Sequence, residues 1–552
     1  MFIDTRALPE DTLVETDICI IGAGAAGITL ARELSGQPYQ VSLLESGGLD
    51  LDENTQSLCT GEITGTPYYP IGETRTRYLG GSTNLWGGWS RPLDEIDFED
   101  RPWMPYSGWP ITKAELDPYY KRANKACNLG AYEYDFAYWK DSIGQQVPFL
   151  GERIATYIWQ VIPPTHVRFG KAYRAEIQQA RNINTYLYAN VVEIETNDTA
   201  QAVTRLRVAS LDGKKFWMAA KVFILAAGGL ENPRLLLVSN KTQNTGLGNQ
   251  YDLVGRFFME HPIVKSDKIL PTNPTAYTNC VFKLGKDTVS TGLALSKALQ
   301  EREQVLNFSI KLGRLTEEWI EAFERLQQQI RQTKAPQDFP NIIQGHNYKN
   351  RPPALADLRT AIAHLDRIAA RAVAKRLRKP FNLGKSSFYR ASLIAEQAPN
   401  PDSRITLSRE RDKLGLNRLQ LDWRLTQIDK YTIWRSQQII AQEFNRSGLG
   451  QFPVPSSEDD INWQSLKGSY HHIGTTRMST NPREGVVDEH CQVHGISNLY
   501  VAGSSVFSTS GLSNPTLTIV ALAIRLADRI KQRMGSAGVT KELETTSTSL
   551  IP

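Results

Sequence analysis

The stretch from Asp17 to Glu45 constrains the fold of this 552-residue chain more than any other. An apolar run without alternation, Asp17-Ile-Cys-Ile-Ile21, leads into Gly22-Ala-Gly-Ala-Ala-Gly27 and then into a helix-like segment, Ile28 to Leu34. Such a run predicts a central parallel strand buried on both faces. A second apolar run, Val41–Leu44, ends in Glu45, 18 positions after the last glycine. Gly-x-Gly-x-x-Gly that follows a strand, opens a helix and is trailed by an acidic residue reads as a dinucleotide-binding unit. Gly22 permits the tight turn, Gly24 lets backbone N–H groups approach a pyrophosphate, and Gly27 lets helix and strand pack closely. The helix N-terminus supplies partial positive charge for the phosphates. Glu45 can accept hydrogen bonds from ribose hydroxyls and repels a 2′-phosphate, so the expected ligand is a dinucleotide with an unphosphorylated ribose.

Two further turns of small residues follow strand-like runs. Lys221–Leu225 leads into Ala226-Ala-Gly-Gly229, and Asn498–Val501 leads into Ala502-Gly503-Ser504. Spread so widely, the three turns predict one discontinuous sheet domain. Between them lies Arg77-Tyr-Leu-Gly80-Gly81-Ser82-Thr-Asn84-Leu85-Trp86-Gly87-Gly88, a second glycine-rich stretch suited to close approach of a flat ring system. Residues 261 to 470 read differently. Strand-like segments, Ser387–Glu396 and Leu419–Trp423, accompany two helical blocks, Leu315–Thr333 and Ala356–Lys379, which predicts an antiparallel sheet carrying helices.

Composition narrows the function classes. The chain has 63 Lys+Arg against 58 Asp+Glu, a net charge of +5, too weak a balance for nucleic acid as a bulk partner. Its five cysteines are scattered without a CxxC pair, which supports neither a disulfide framework nor a zinc-finger-like site. The start, Met1 to Asp17, lacks a basic region followed by an apolar one, and no apolar stretch approaches membrane-span length. The expectation is a soluble, cytoplasmic enzyme. His490 and His494 flank Cys491 without any metal-site spacing, and no metal is expected.

The motifs in chain order resemble the glucose–methanol–choline (GMC) family of flavin oxidoreductases. They are the first glycine turn with Glu45, the Gly80–Gly88 stretch, Leu225–Gly229, Gly255-Arg-Phe-Phe-Met-Glu-His-Pro262, Tyr470-His-His-Ile-Gly-Thr-Thr-Arg-Met478, Leu499–Ser504, and Asn514-Pro-Thr-Leu-Thr518. The pattern is most similar to the pyranose-oxidase, C-glycoside-oxidase and fructose/gluconate-dehydrogenase branch. The resemblance implies FAD as cofactor and an α/β, α+β architecture: a Rossmann-like FAD domain over 1–165, 186–260 and 471–534, and a substrate domain over 166–185 and 261–470. A helical insertion at 315–379 and a flexible tail at 535–552 complete the expected division.

The resemblance also implies the chemistry, oxidation of an alcohol to a carbonyl by hydride transfer to flavin N5. The substrate would be a secondary hydroxyl of a sugar, glycoside or similar cyclic compound. The proton-accepting position, a His three residues before the glycine of an HxxGT motif, falls on His471; its partner position falls on Asn514. FAD contacts are implied for Gly22, Gly24, Ala25, Ala26, Gly27, Glu45, Ser46, Arg77, Gly80, Gly81, Ser82, Asn84, Leu85, Trp86, Gly87, Gly88, Val191, Val192, Ala227, Gly228, Gly503, Ser504, Asn514, Pro515 and Thr516. His472 and Gln397 are the candidate substrate contacts, although an extended segment would point His472 away from its neighbour. His261 reads as structural. Several relatives attach FAD through a His in the second glycine-rich motif; here that place is Leu85, so a non-covalent flavin is expected. The electron acceptor, O2 or another, is left open. The basic amphipathic block 356–379 suits a membrane or redox-partner contact. Two alternatives stand beside alcohol oxidation: a non-redox or photochemical lyase or decarboxylase on the same fold, and the catalytic subunit of a membrane-linked dehydrogenase.

Overall fold

In the computed structural model, which describes residues 1–143, 153–266, 269–272, 281–314, 363 and 389–547, Asp17–Ile21 is the second half of a longer strand, Leu13–Ile21. Ile18–Ile21 is central, paired in parallel with Val41–Leu44 on one side and Lys215–Leu225 on the other, and its side chains on both faces are buried. Phe2–Asp4 and Ile183–Leu187 extend the parallel part beyond Val41–Leu44. Leu499–Val501 adds in parallel to the end of Lys215–Leu225, and Val203–Ala209 and Asn190–Thr196 continue antiparallel on its far side. The ladder runs one residue past three strands: Gly22 N–H donates to Leu44 O at 2.8 Å, Ala226 N–H to Ile21 O at 2.8 Å and Ala502 N–H to Leu225 O at 2.7 Å. The small-residue turns therefore leave the sheet at one edge, the carboxyl ends of its parallel strands, where doubly wound folds bind ligands.

A second sheet is antiparallel throughout. Its order is Ile263–Lys265, Tyr389–Ala395, Phe308–Arg314, Asp287–Leu295, Ile154–Val161 and Trp89–Ser90, with Val281–Leu284 also paired to Asp287–Leu295. Two expected boundaries change accordingly. Ile154–Val161 and Trp89–Ser90, expected in the FAD domain, pair into this second sheet, whereas Ile183–Leu187, across which the expected boundary at 185/186 falls, pairs as one strand with Val41–Leu44 in the first. An apolar strand carries no local mark of the sheet that will accept it; long-range register decides. Likewise Leu419–Trp423 belongs to neither large sheet. Asn417–Asp422 pairs with Arg404–Arg411 and, in parallel, with Gly61–Ile63.

The helix after the first glycine turn, Ala25–Glu33, packs against the long C-terminal helix, Thr516–Ser547, which also packs on Lys113–Ala126. The C-terminal helix continues to Ser547, so the flexible tail expected from 535 is helical over most of its length. Lys541, Glu542, Leu543 and Glu544 are good helix formers, which explains the continuation. The helical blocks expected within 315–379, including the basic segment 356–379, lie outside the described residues apart from Ala363. No helix among the described residues is long and apolar enough to cross a membrane.

Candidate active site

The turns at the sheet edge and the inner face of the second sheet enclose one cavity of about 610 Å³. The first glycine turn forms part of its wall. Gly22 adopts φ +105°, and a Cβ there would lie 2.7 Å from Ala226 O, so only glycine fits. At Gly27 a Cβ would lie 1.9 Å from Gly22 O, which is the close helix–strand packing the spacing predicts. Gly24 differs: it heads the helix Ala25–Glu33, and no protein atom lies within 4 Å of where its Cβ would stand. The second glycine-rich stretch docks on the first. Gly80 N–H donates to Ala23 O at 2.9 Å, and a Cβ on Gly81 would come within 3.0 Å of Gly24 Cα.

Beside this turn the Glu45 carboxylate accepts from Ala23 N–H at 3.1 Å and Gly47 N–H at 2.9 Å. Burial pushes its pKa up, against these backbone donors and the charge of Arg77. Arg77 donates to Ser46 Oγ at 3.3 Å and pairs with Glu231 at 2.8 Å. Glu231 also pairs with Arg75 at 2.8 Å and Arg234 at 3.2 Å, and Arg234 reaches Asp412 at 2.6 Å. Burial alone would push Glu231 up, but the charges of Arg77, Arg234 and Arg75 outweigh it and hold the carboxyl well below the usual range. Three guanidiniums and two carboxylates thus stand along one wall of the cavity.

At the second sheet's end of the cavity, two histidines meet. Met259 and Ile473 pair antiparallel through N–H···O contacts of 2.9 and 3.1 Å, which sets His261 beside His471. Glu260 clasps both strands: its carboxylate accepts from the N–H of His261 and of His471 at 3.0 Å each, from Ser469 N–H at 2.9 Å, and from Tyr68 O–H. Burial pushes Glu260 up to about 7 against these four donors. Gly474 must be glycine, because it has φ +86° and a Cβ would lie 2.3 Å from Phe257 O. His471 Nδ1 stands 2.7 Å from His261 Nδ1, and its Nε2 stands 3.3 Å from Asn514 Nδ2. Burial, then the neighbouring His261, His472 and Lys311, push His471 well below the usual imidazole range. His472 also lines the cavity; burial and then Arg75 lower it to about 3. From the second sheet and the loops beside it, Trp89, Trp159, Lys311 and Ser392 face the same space, as do Tyr69 and Tyr470. The Lys311 ammonium stands 3.6 Å from the Trp89 ring centre and 4.2 Å from that of Trp159.

Two family models match the chain: "FAD dependent oxidoreductase" over residues 17–244 and "GMC oxidoreductase" over residues 399–523. This chain belongs to the GMC oxidoreductases. It is 22% identical to the fructose dehydrogenase large subunit of Gluconobacter japonicus, over 94% of this chain and 98% of that one. It is 33% identical to the C-glycoside 3-oxidase of Arthrobacter globiformis over a shorter span, 24% of each chain. A formate oxidase structure from Aspergillus oryzae RIB40 superposes with a TM-score of 0.55 at 15% identity, covering 96% of this chain and 100% of that one. This GMC oxidoreductase is an FAD-dependent enzyme that oxidises CH–OH groups.

The cavity fits that cofactor. The open space at Gly24, facing a second glycine at Gly81 and headed by the N-terminus of Ala25–Glu33, is a cradle that a single Cβ would fill. Gly24→Ala is therefore expected to leave the apo-protein's Tm within about 2 °C of the parent while weakening FAD binding at least about 10-fold. Flavin titration followed by fluorescence quenching checks this; equal affinity in the two proteins would mean that nothing approaches Gly24.

Most sequence-predicted site residues of this GMC oxidoreductase line the cavity: Gly22, Gly24, Ala25, Ala26, Glu45, Ser46, Arg77, Gly81, Ser82, Leu85, Trp86, Gly87, Gly88, Val191, Ala227, Gly228, His471, His472, Gly503, Ser504, Asn514, Pro515 and Thr516. Gly27, Gly80, Asn84 and Val192 stand behind that wall. Gln397 is a correction. It is fully buried away from the cavity, with Oε1 accepting from Glu260 N–H at 2.9 Å and Trp423 Nε1–H at 2.9 Å, and Nε2–H donating to Arg424 O at 3.1 Å. Its amide oxygen is held by two buried donors, and its side chain does not line the cavity. Sequence reasoning missed Lys311 and Trp159, which lie on strands it did not assign to the second sheet, and Ser392, which lies on the expected strand Ser387–Glu396 but carries no local sign that it faces the cavity. Trp89 was within reach, directly after Gly88.

Proposed function

We propose that this enzyme oxidises a secondary hydroxyl of a sugar, a glycoside or a similar cyclic polyol to a ketone, with His471 as the proton acceptor and Asn514 holding the reacting oxygen. The observation that carries the reading is the His471 Nε2–Asn514 Nδ2 pair, 3.3 Å apart, at the cavity wall. A hydroxyl that comes within reach of both and replaces their direct contact donates its proton to Nε2 and accepts the amide N–H, so one group removes the proton while the other steadies the alkoxide oxygen. A buried imidazole pushed below its usual range is neutral across physiological pH and has a lone pair to offer. Trp89, Trp159, Tyr69 and Tyr470 offer apolar faces for the C–H edges of a pyranose ring, and Lys311 and Ser392 offer donors to its other oxygens. The names of the fructose dehydrogenase and C-glycoside 3-oxidase relatives point to the same substrate class.

FAD, when bound, supplies the acceptor for the hydride leaving the carbinol carbon. The residues that would hold it are the Gly22–Gly27 turn with Glu45, the Gly81–Gly88 stretch, Ala227–Gly228, Gly503–Ser504 and Asn514–Thr516. Leucine at 85 cannot bond a flavin, so acid precipitation is expected to release free FAD into the supernatant.

The test is anaerobic bleaching of the holoenzyme's flavin by D-glucose, D-fructose, methyl β-D-glucopyranoside, an aryl C-glucoside and propan-2-ol. Bleaching by a sugar or glycoside at a rate well above propan-2-ol supports the reading. Bleaching by propan-2-ol alone, or by none of them, overturns the substrate class. Re-oxidation in air after bleaching separates an oxidase from a dehydrogenase.

A further inference from the structure

The two facing histidines leave one proton to be placed, and carbonyl groups decide where it goes. His261 Nε2 lies 2.8 Å from Gly511 O and 3.2 Å from Ser510 O. Carbonyl oxygens only accept, so this nitrogen carries a hydrogen. A neutral His261 protonated at Nε2 presents a lone pair at Nδ1. His471 Nδ1 stands 2.7 Å away, the two rings nearly perpendicular at 84°, and it must therefore be the donor. A neutral His471 protonated at Nδ1 then keeps its lone pair at Nε2, where the Asn514 amide N–H donates to it. The opposite tautomer of His471 would set two lone pairs against each other at the Nδ1 atoms and two N–H groups against each other at Asn514.

We infer that His261 is a positioning residue: anchored by the Gly511 and Ser510 carbonyls, it fixes the tautomer of His471 so that Nε2 is the proton-accepting atom. The inference rests on the reading of His471 as the base. Backbone geometry holds the relay in place, since Glu260 accepts the N–H of both histidines. Burial is the largest cause lowering each imidazole's pKa, and it keeps both neutral. A rigid neighbour that selects a histidine tautomer determines which nitrogen is the base, and so whether the base faces its substrate.

The test compares His261→Leu, His261→Asn and the parent as FAD-loaded enzymes carrying 15N-histidine. Asparagine can return an acceptor oxygen near the position of Nδ1; leucine cannot. In the parent, the 15N signal that disappears in His471→Gln is expected to be of the type protonated at Nδ1 and bare at Nε2. His261→Asn is expected to retain that signature and His261→Leu to lose it. Flavin reduction by the panel alcohol that reduces the parent fastest is expected to fall about 100-fold in His261→Leu and to recover to within about 10-fold of the parent in His261→Asn. A His471 bare at Nδ1 in the parent, or an unchanged tautomer in His261→Leu, would overturn the inference. Flavin reduction that survives His471→Ala would remove the base reading instead, leaving the tautomer result standing by itself.

Discussion

His471→Ala is expected to bind FAD as the parent does, yet to lose flavin reduction by about 10²- to 10⁴-fold, the usual contribution of a positioned general base. The two properties separate because of where His471 sits. Its ring faces Asn514 and His261 at one end of the cavity, while the glycine turns that would cradle FAD belong to other segments. Anaerobic stopped-flow bleaching measures the rate, and the visible flavin band measures occupancy. Asn514→Ala removes one amide donor and leaves the proton acceptor in place, so its loss should be nearer 10-fold, the worth of a single hydrogen bond to a developing charge. A larger loss at Asn514 than at His471 would reverse the assignment of base and oxygen-holder.

Glu231→Gln is expected to destabilise the fold severely. The side chains of Arg75, Arg77 and Arg234 that meet Glu231 are all at least 86% buried, and Asp412 is the only other carboxylate that the ion pairs described give any of them. Removing one partner from a buried ion-pair cluster leaves charge uncompensated and costs about 3–5 kcal/mol. The Tm should fall by at least about 5 °C, and FAD occupancy should fall with it, because the cluster forms part of the cavity wall. Thermal unfolding of parent and variant checks this, and a Tm within 1–2 °C, about the cost of a surface change, would show the cluster to be redundant.

The pH dependence of that difference has a definite sign. Glu231 is held below its ordinary range in the folded protein, so its stabilisation is present above the unfolded carboxyl's pKa of about 4.3 and is lost as pH falls further. The gap between parent and Glu231→Gln should be constant from about pH 6 to 8 and shrink below about pH 4.3. Glu260 works in the opposite direction. Burial raises it to about 7, so its share of stability is complete below about pH 4.3 and is lost as pH rises toward 7.

Local chemistry made much of the site legible. Glycines at 22 and 27 have the turn and packing geometry that their spacing predicts, and open space lies over Gly24, because positive φ and steric closeness are demands placed on single residues. His471 and Asn514, 43 positions apart, were paired through family resemblance, and the fold brings them to 3.3 Å. Gln397 failed as a substrate contact for a different reason. A polar residue in a loop-rich segment gives no sign of whether its amide faces a cavity or satisfies buried groups, and here it satisfies three.

By itself, the amino-acid sequence determined the nucleotide-binding unit and the family, since each is written in motifs within short segments, and the resemblance singled out His471 and Asn514 as the pair to test. Only the tertiary structure decided which strands join which sheet, that Lys311, Trp159 and Trp89 share the cavity with His471, and that His261 stands against it rather than away from it. Those placements depend on register between segments hundreds of residues apart. The free energy that selects among alternative registers comes from the packing of the whole core, which no local pattern records.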